Sequence, residues 1–167
     1  MLPIPLNAHA VKKGLIGTGD ALARRTALLA EAGVETRLLA PEAPDAALEG
    51  LNLLFVAGLP DGESRALAAR ARALGVLVNV EDVLPLCDFH VPAIVRRGDM
   101  MLTASTGGQV PGLSRRLRER LAQQFGPEWT VRLRDLSVAR ARWRAEGLSP
   151  AEVSRMVRAK VESEGWL

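Results

Sequence analysis

The sequence predicts an α/β fold, a mostly parallel sheet followed by a small all-helical C-terminal domain. Three observations predict it. From about Val11 to Met101, short apolar runs bounded by glycine or proline alternate with helical stretches, the pattern of strand-helix-strand crossovers. From Pro111 onward every periodic stretch is helical. The basic excess lies in that last third: residues 111–167 hold 12 Arg/Lys against 7 Asp/Glu, a net of +5, while the first 110 residues carry −2.

The elements follow in order. Residues 11–16, "VKKGLI", form a strand candidate interrupted by Lys12 and Lys13. Residues 20–33 read as a helix with Asp20 in its first turn and Gly33 at its end. "VETRLLA" (34–40) is a strand that Pro41 stops, and "LNLLFVAG" (51–58) has the unbroken apolarity of a buried parallel strand. A helix over 62–75 and a strand over 76–80 come next. Residues 91–99 and 100–106 are two further strands joined through Gly98-Asp99. Helices are expected over 111–126, 128–147 and 149–167. The last opens on a capping box, with Ser149 as cap, Pro150 at the first helical position and Glu152 three residues on. Domains are expected at 1–110 and 111–167.

The 167 residues suit one ordinary domain with an appendage, and 48% hydrophobic with 25% charged residues is a globular composition. No apolar run reaches the roughly 18 residues of a membrane span. A single cysteine, Cys87, excludes an internal disulfide, and a reducing cytoplasm is expected. His9 and His90 lack metal-ligand spacing, so no metal site is expected.

Two segments carry chemistry. "GLIGTGDAL" places Gly17 and Gly19 after a strand and at a helix start, where a tight turn and bare backbone admit a pyrophosphate. Leu22 stands where a third small residue is usual, and Pro41-Glu42 follows the second strand where an acid would hold an adenosine ribose. "VNVEDVLPLCDF" places Asp82 two residues past the fourth strand. Carboxyl ends of parallel strands share one edge, so Gly17, Gly58, Asp82 and Thr106 are expected there together. An aspartate in a loop also serves as a turn or cap residue, and Glu81 is its neighbour and rival.

"GTGDALARR", "NVED" with "CDFHVPAIV", and "ASTGG" with "LRERL", in this order and spacing, resemble the siroheme synthase N-terminal family of precorrin-2 dehydrogenases, some of which also insert ferrous iron into sirohydrochlorin. The resemblance implies a Rossmann-like NAD domain, a dimerisation segment after the last strand, a helical domain and a homodimer. It implies Asp82 as catalytic base, with Gly17, Thr18, Gly19, Asp20, Ala21 and Gly58 around NAD. It places Asn79, Ser105, Thr106, Gly107, Gly108, Arg115 and Arg116 at precorrin-2, a polycarboxylate tetrapyrrole, and its product sirohydrochlorin. Arginine forks suit such a ligand. Arg115, Arg116, Arg118 and Arg120 cannot all face one way, since successive helical residues diverge by roughly 100°.

The sequence departs from the family at Thr18 and Leu22, at Ala57-Gly58-Leu59 after the third strand, and at the paired lysines of the first. All four fall on the NAD half. They leave open a degenerate member that binds tetrapyrrole or only chelates. A nucleic-acid-binding module is the other alternative, but its arginine-rich tail has no base-reading motif and few aromatics. Neither nucleic acid nor a membrane is the expected partner.

Overall fold

The computed structural model describes residues 2–167 as two compact units, divided between Val91 and Pro92. The first holds β1 (Lys13–Gly17), α1 (Gly19–Glu31), β2 (Arg37–Leu39), α2 (Asp45–Leu48), β3 (Leu53–Ala57), α3 (Asp61–Ala73) and β4 (Leu77–Val80). Its four strands form a wholly parallel sheet in the order β2-β1-β3-β4. This is a Rossmann-like α/β arrangement. Every residue of β3 is buried, because the strand is central and both its faces are covered. On one face Ile16, Leu54, Val56 and Val78 pack with Leu67, Ala68 and Ala71 of α3. On the other, Leu15, Leu53 and Phe55 pack with Leu29 of α1.

The two lysines do not break the first strand. Lys12 precedes β1 and its amide donates to the Asn52 side chain at 2.8 Å, while the half-buried Lys13 ammonium bonds the Ala8 carbonyl. The one-turn α2 has no signal in the sequence pattern; its anchor is Leu48, which is fully buried. Helices α1 and α3 end alike. Gly33 and Gly75 take left-handed backbone, and the amide of the next residue bonds back to Leu29 and Ala71 respectively.

The second unit holds β5 (Ala93–Arg97), β6 (Met100–Ala104), α4 (Pro111–Gln124), α5 (Trp129–Ala145) and α6 (Pro150–Ser163). β5 and β6 pair antiparallel through the Gly98 turn as a separate two-stranded sheet. Helix α4 packs on this hairpin, and Arg97 of β5 donates to the Phe125 carbonyl at 2.7 Å and that of Ala122 at 3.1 Å, satisfying the end of α4. The capping box at α6 forms: the Glu152 amide donates to Ser149 Oγ and the Glu152 carboxylate accepts from the Ser149 amide. Trp129, Trp143 and Val153 make the buried centre of α5 and α6. Arg132 lies against both the Trp129 and Trp166 rings, at 5.2 and 5.1 Å from their centroids. No helix of the described residues is long and apolar enough to cross a membrane.

Candidate functional site

The β1–α1 turn forms because two backbones approach closely. Gly17 is buried at the end of β1, and a Cβ there would strike the Ala57 carbonyl oxygen of β3. Its glycine is therefore required by packing against the neighbouring strand, not by an unusual dihedral. Gly19 supplies the left-handed backbone, at φ 59°, and nothing lies within 4 Å of the position its Cβ would take. The start of α1 is thus bare backbone facing open space, with donors suited to an anion.

A second turn is stitched to the first. The Thr18 amide donates to Ala57 at 3.1 Å and its hydroxyl to the Gly58 carbonyl at 2.7 Å. Gly58 has φ 72°, and an added Cβ would lie 2.9 Å from the Ala21 methyl. The close helix approach therefore falls at Ala21, one residue before the position weighed in the sequence, while Leu22 packs into the apolar layer under α1. Thr18 gains a partner in Gly58, which accounts physically for two of the departures. Asp20 lies in the first turn of α1.

Asp82 follows β4 by two residues and is exposed, with no hydrogen-bond or ion-pair partner among the described residues. It has φ 61° and is the single non-glycine residue with positive φ among them. Aspartate tolerates this region better than most side chains, but the conformation is costly and is held by its surroundings. Cys87 Sγ donates toward the Val80 carbonyl at 3.1 Å and lies 3.5 Å from that of Val83, straddling the turn. Asn79 is 6% exposed and donates to the Phe89 carbonyl at 2.9 Å, while its Oδ1 is buried without a partner. Asn79 is thus a buried strut of the Asp82 loop. Glu81 lies 3.8 Å from the buried Arg25 of α1. Burial holds the Arg25 guanidinium below its ordinary pKa, against the opposing pull of Glu81.

Gly17, Thr18, Gly19, Asp20, Ala21, Gly58 and Asp82 all lie at the carboxyl ends of parallel strands in the first unit. Thr106 does not end a parallel strand. It follows β6, whose antiparallel pairing with β5 leaves it outside the parallel sheet. Its hydroxyl accepts from the Val110 amide and meets Ser114 Oγ at 3.0 Å. Ser105 accepts from Gly107, and Gly107 and Gly108 both take left-handed backbone. Residues 105–110 are therefore a bonded turn leading into α4. On that helix Arg115 and Arg116 both pair with Glu119, at 3.4 and 3.1 Å. Arg118 and Arg120 have no acidic partner among the described residues.

A groove of about 310 Å³ went unread in the sequence. Pro41, Glu42, Leu59, Glu63 and Arg70 line it between the ends of β2 and β3 and the start of α3. Glu42 thus supplies an acid beyond β2, three residues after the strand rather than at its end. Arg70 is occupied: it donates to Asp45 at 2.7 Å and to the Ala43 carbonyl at 2.7 Å.

A family model described as "Putative NAD(P)-binding" matches residues 4–93, more than half the chain. Siroheme synthase of Chromobacterium violaceum is 36% identical over 140 residues, covering 71% of this chain and 30% of that protein. Siroheme synthase of Pseudomonas fluorescens is 30% identical over 169 residues, covering 89% and 36%. The chain belongs to the siroheme synthase N-terminal and precorrin-2 dehydrogenase family. It spans about a third of the length of these curated siroheme synthases. A solved structure of SirC, precorrin-2 dehydrogenase, shares the fold at TM-score 0.71 and 18% identity, covering 96% of this chain and 89% of that one.

Proposed function

We propose that this siroheme synthase-family chain is an NAD⁺-dependent precorrin-2 dehydrogenase that oxidises precorrin-2 to sirohydrochlorin as a cytoplasmic homodimer. The observation that carries this is Asp82: an unpartnered carboxylate, held on a left-handed turn, on the sheet edge that also presents the open glycine turn. The residues present fit a dinucleotide. Gly19 leaves room for a pyrophosphate at the amino end of α1, and the groove beside Glu42 receives the adenosine. When bound, NAD⁺ supplies the hydride acceptor. Asp82 takes the proton, so that two hydrogens leave the macrocycle as proton and hydride.

Glu42 and Glu63 line the groove while Arg70 is held by Asp45, so a 2′-phosphate would meet acids and no free cation. That selects NAD⁺ over NADP⁺. Residues 1–110 carry cofactor binding and dimerisation, and 111–167 form the helical part. Arg115, Arg116 and the 105–108 turn meet substrate carboxylates. Ferrous iron, where inserted, is substrate: among the described residues no three His, Cys, Asp or Glu side chains gather as a metal cage.

The test is incubation with enzymatically generated precorrin-2 and NAD⁺, with and without Fe²⁺ or Co²⁺, followed by absorbance. Asp82→Ala is expected to lower turnover by about 10²-fold or more with an unchanged circular dichroism spectrum. Full activity in that variant refutes the role of Asp82. A second reading, tetrapyrrole binding or chelation without NAD chemistry, draws on Asp20, an acid in the first turn of α1 beside the proposed pyrophosphate position. Absence of NAD⁺ binding at millimolar concentration would decide for it.

A further inference from the structure

Arg25 is buried to 8% exposure, the one charged residue so deeply covered among those described. A buried guanidinium is ordinarily closed by several hydrogen bonds, since removing the charge from water is expensive. This one has none among the described residues. It meets Glu81 at 3.8 Å, beyond hydrogen-bond range, and the Phe55 ring at 5.9 Å. Phe55 stands edge-on to Phe89 at 5.4 Å, and the Phe89 carbonyl is the acceptor of Asn79. Arg25 therefore meets the turn that carries Asp82 directly at Glu81, and lies over Phe55, whose ring packs on Phe89 beyond the turn.

We infer that Arg25 is a positioning residue: its pairing with Glu81 fixes the Glu81-Asp82 turn in the left-handed conformation that exposes the Asp82 carboxylate. The reasoning is a contest of costs. Asp82 at φ 61° is strained and would relax to extended backbone if Glu81 were free. Glu81 is not free, because letting it go would strip the buried Arg25 charge of its nearest counter-ion. The strained turn is thus tied to a charge that cannot afford to lose its partner. Cys87 grips the same turn from inside, on the carbonyls of Val80 and Val83, and its sulfur also lies 3.5 Å from the Asn79 side-chain amide.

The catalytic part of this inference rests on the dehydrogenase reading above; the conformational part does not. The experiment has two arms on the full chain, with Arg25→Met, Glu81→Gln, the double variant and Arg25→Lys. Hydrogen exchange without any ligand is expected to quicken about tenfold or more at Val83, whose amide bonds Val80 across the turn, and to stay unchanged in β1 and β3. In turnover, Arg25→Met and Glu81→Gln are each expected to lose about 10- to 100-fold in kcat with KM for NAD⁺ unchanged. The double variant loses no more than either, and Arg25→Lys recovers most of the rate. Unchanged exchange at Val83, or exchange that quickens equally through β1 and β3, overturns the inference. An inactive wild type would instead remove the dehydrogenase reading, and the exchange arm would still decide the role of Arg25.

Discussion

Asp20 illustrates how one side chain can work against the site it borders. The first turn of α1 concentrates the positive end of the helix dipole, which favours an anion. Asp20 stands in that first turn and has no ion-pair partner among the described residues. A pyrophosphate arriving at Gly19 must share that field with a fixed negative charge. Asp20→Asn is therefore expected to tighten NAD⁺ binding about two- to fivefold, from the ~0.3–1 kcal/mol such charges are worth at a helix end. Calorimetric titration at low salt checks it, and weaker binding in the variant would mean that Asp20 contacts the cofactor directly. At the same scale, Thr18 and Gly58 look like losses from a family pattern when read in the sequence alone. The hydroxyl-to-carbonyl bond between them makes them one feature, a repacked loop.

Among the elements, β4 is one edge of the parallel sheet, and its outer side is closed by side-chain chemistry. The Asp88 carboxylate accepts from the Val78 amide at 2.9 Å, and the Asp88 amide donates to the Val78 carbonyl at 2.7 Å. Arg72 of α3 holds the same carboxylate at 2.9 Å. Burial would raise the Asp88 pKa, but the bonds from Arg72 and Val78 outweigh it and hold the group below the ordinary carboxylate value. A depressed folded pKa contributes stability above the unfolded value, and that contribution is lost as pH falls through the folded value. Asp88→Asn is expected to cost about 2 kcal/mol near neutral pH. It also flattens the loss of stability below about pH 4. Urea unfolding at pH 7 and pH 3 measures both, and an equal difference between wild type and variant at the two values would contradict it.

At the scale of the whole molecule, a ligand that binds only the folded state raises apparent stability. For NAD⁺ at 100 times its dissociation constant the gain is about 2.7 kcal/mol. Thermal unfolding is expected to shift upward with NAD⁺ and less with NADP⁺ at equal concentration. Glu42→Gln with Glu63→Gln is expected to narrow that gap, because the two acids line the groove where a 2′-phosphate would lie. Equal shifts in wild type would assign the groove to something other than the adenosine end.

Much of this was legible before any coordinates. Short apolar runs marked the four parallel strands, most plainly β3 between its glycines, and the Ser149–Glu152 spacing marked the start of α6, because periodicity and capping depend on neighbours in the chain. Asp82 was legible from its place after a strand and from the resemblance of its segment. What sequence order could not decide was pairing. Residues 91–99 and 100–106 read as two further strands joined by a turn, and the structure pairs 93–97 with 100–104 antiparallel in a sheet of their own, so Thr106 does not end a parallel strand. Nor could it show that Ala57 closes on Gly17, that Gly58 receives Thr18, or that Arg25 and Glu81, 56 positions apart in sequence, meet under the Asp82 turn at 3.8 Å. Those contacts join segments distant in the chain, and only packing brings them within reach. The sequence by itself determined where the elements other than the one-turn α2 lie and which acid is available; the tertiary structure decided which backbones touch and how that acid is held.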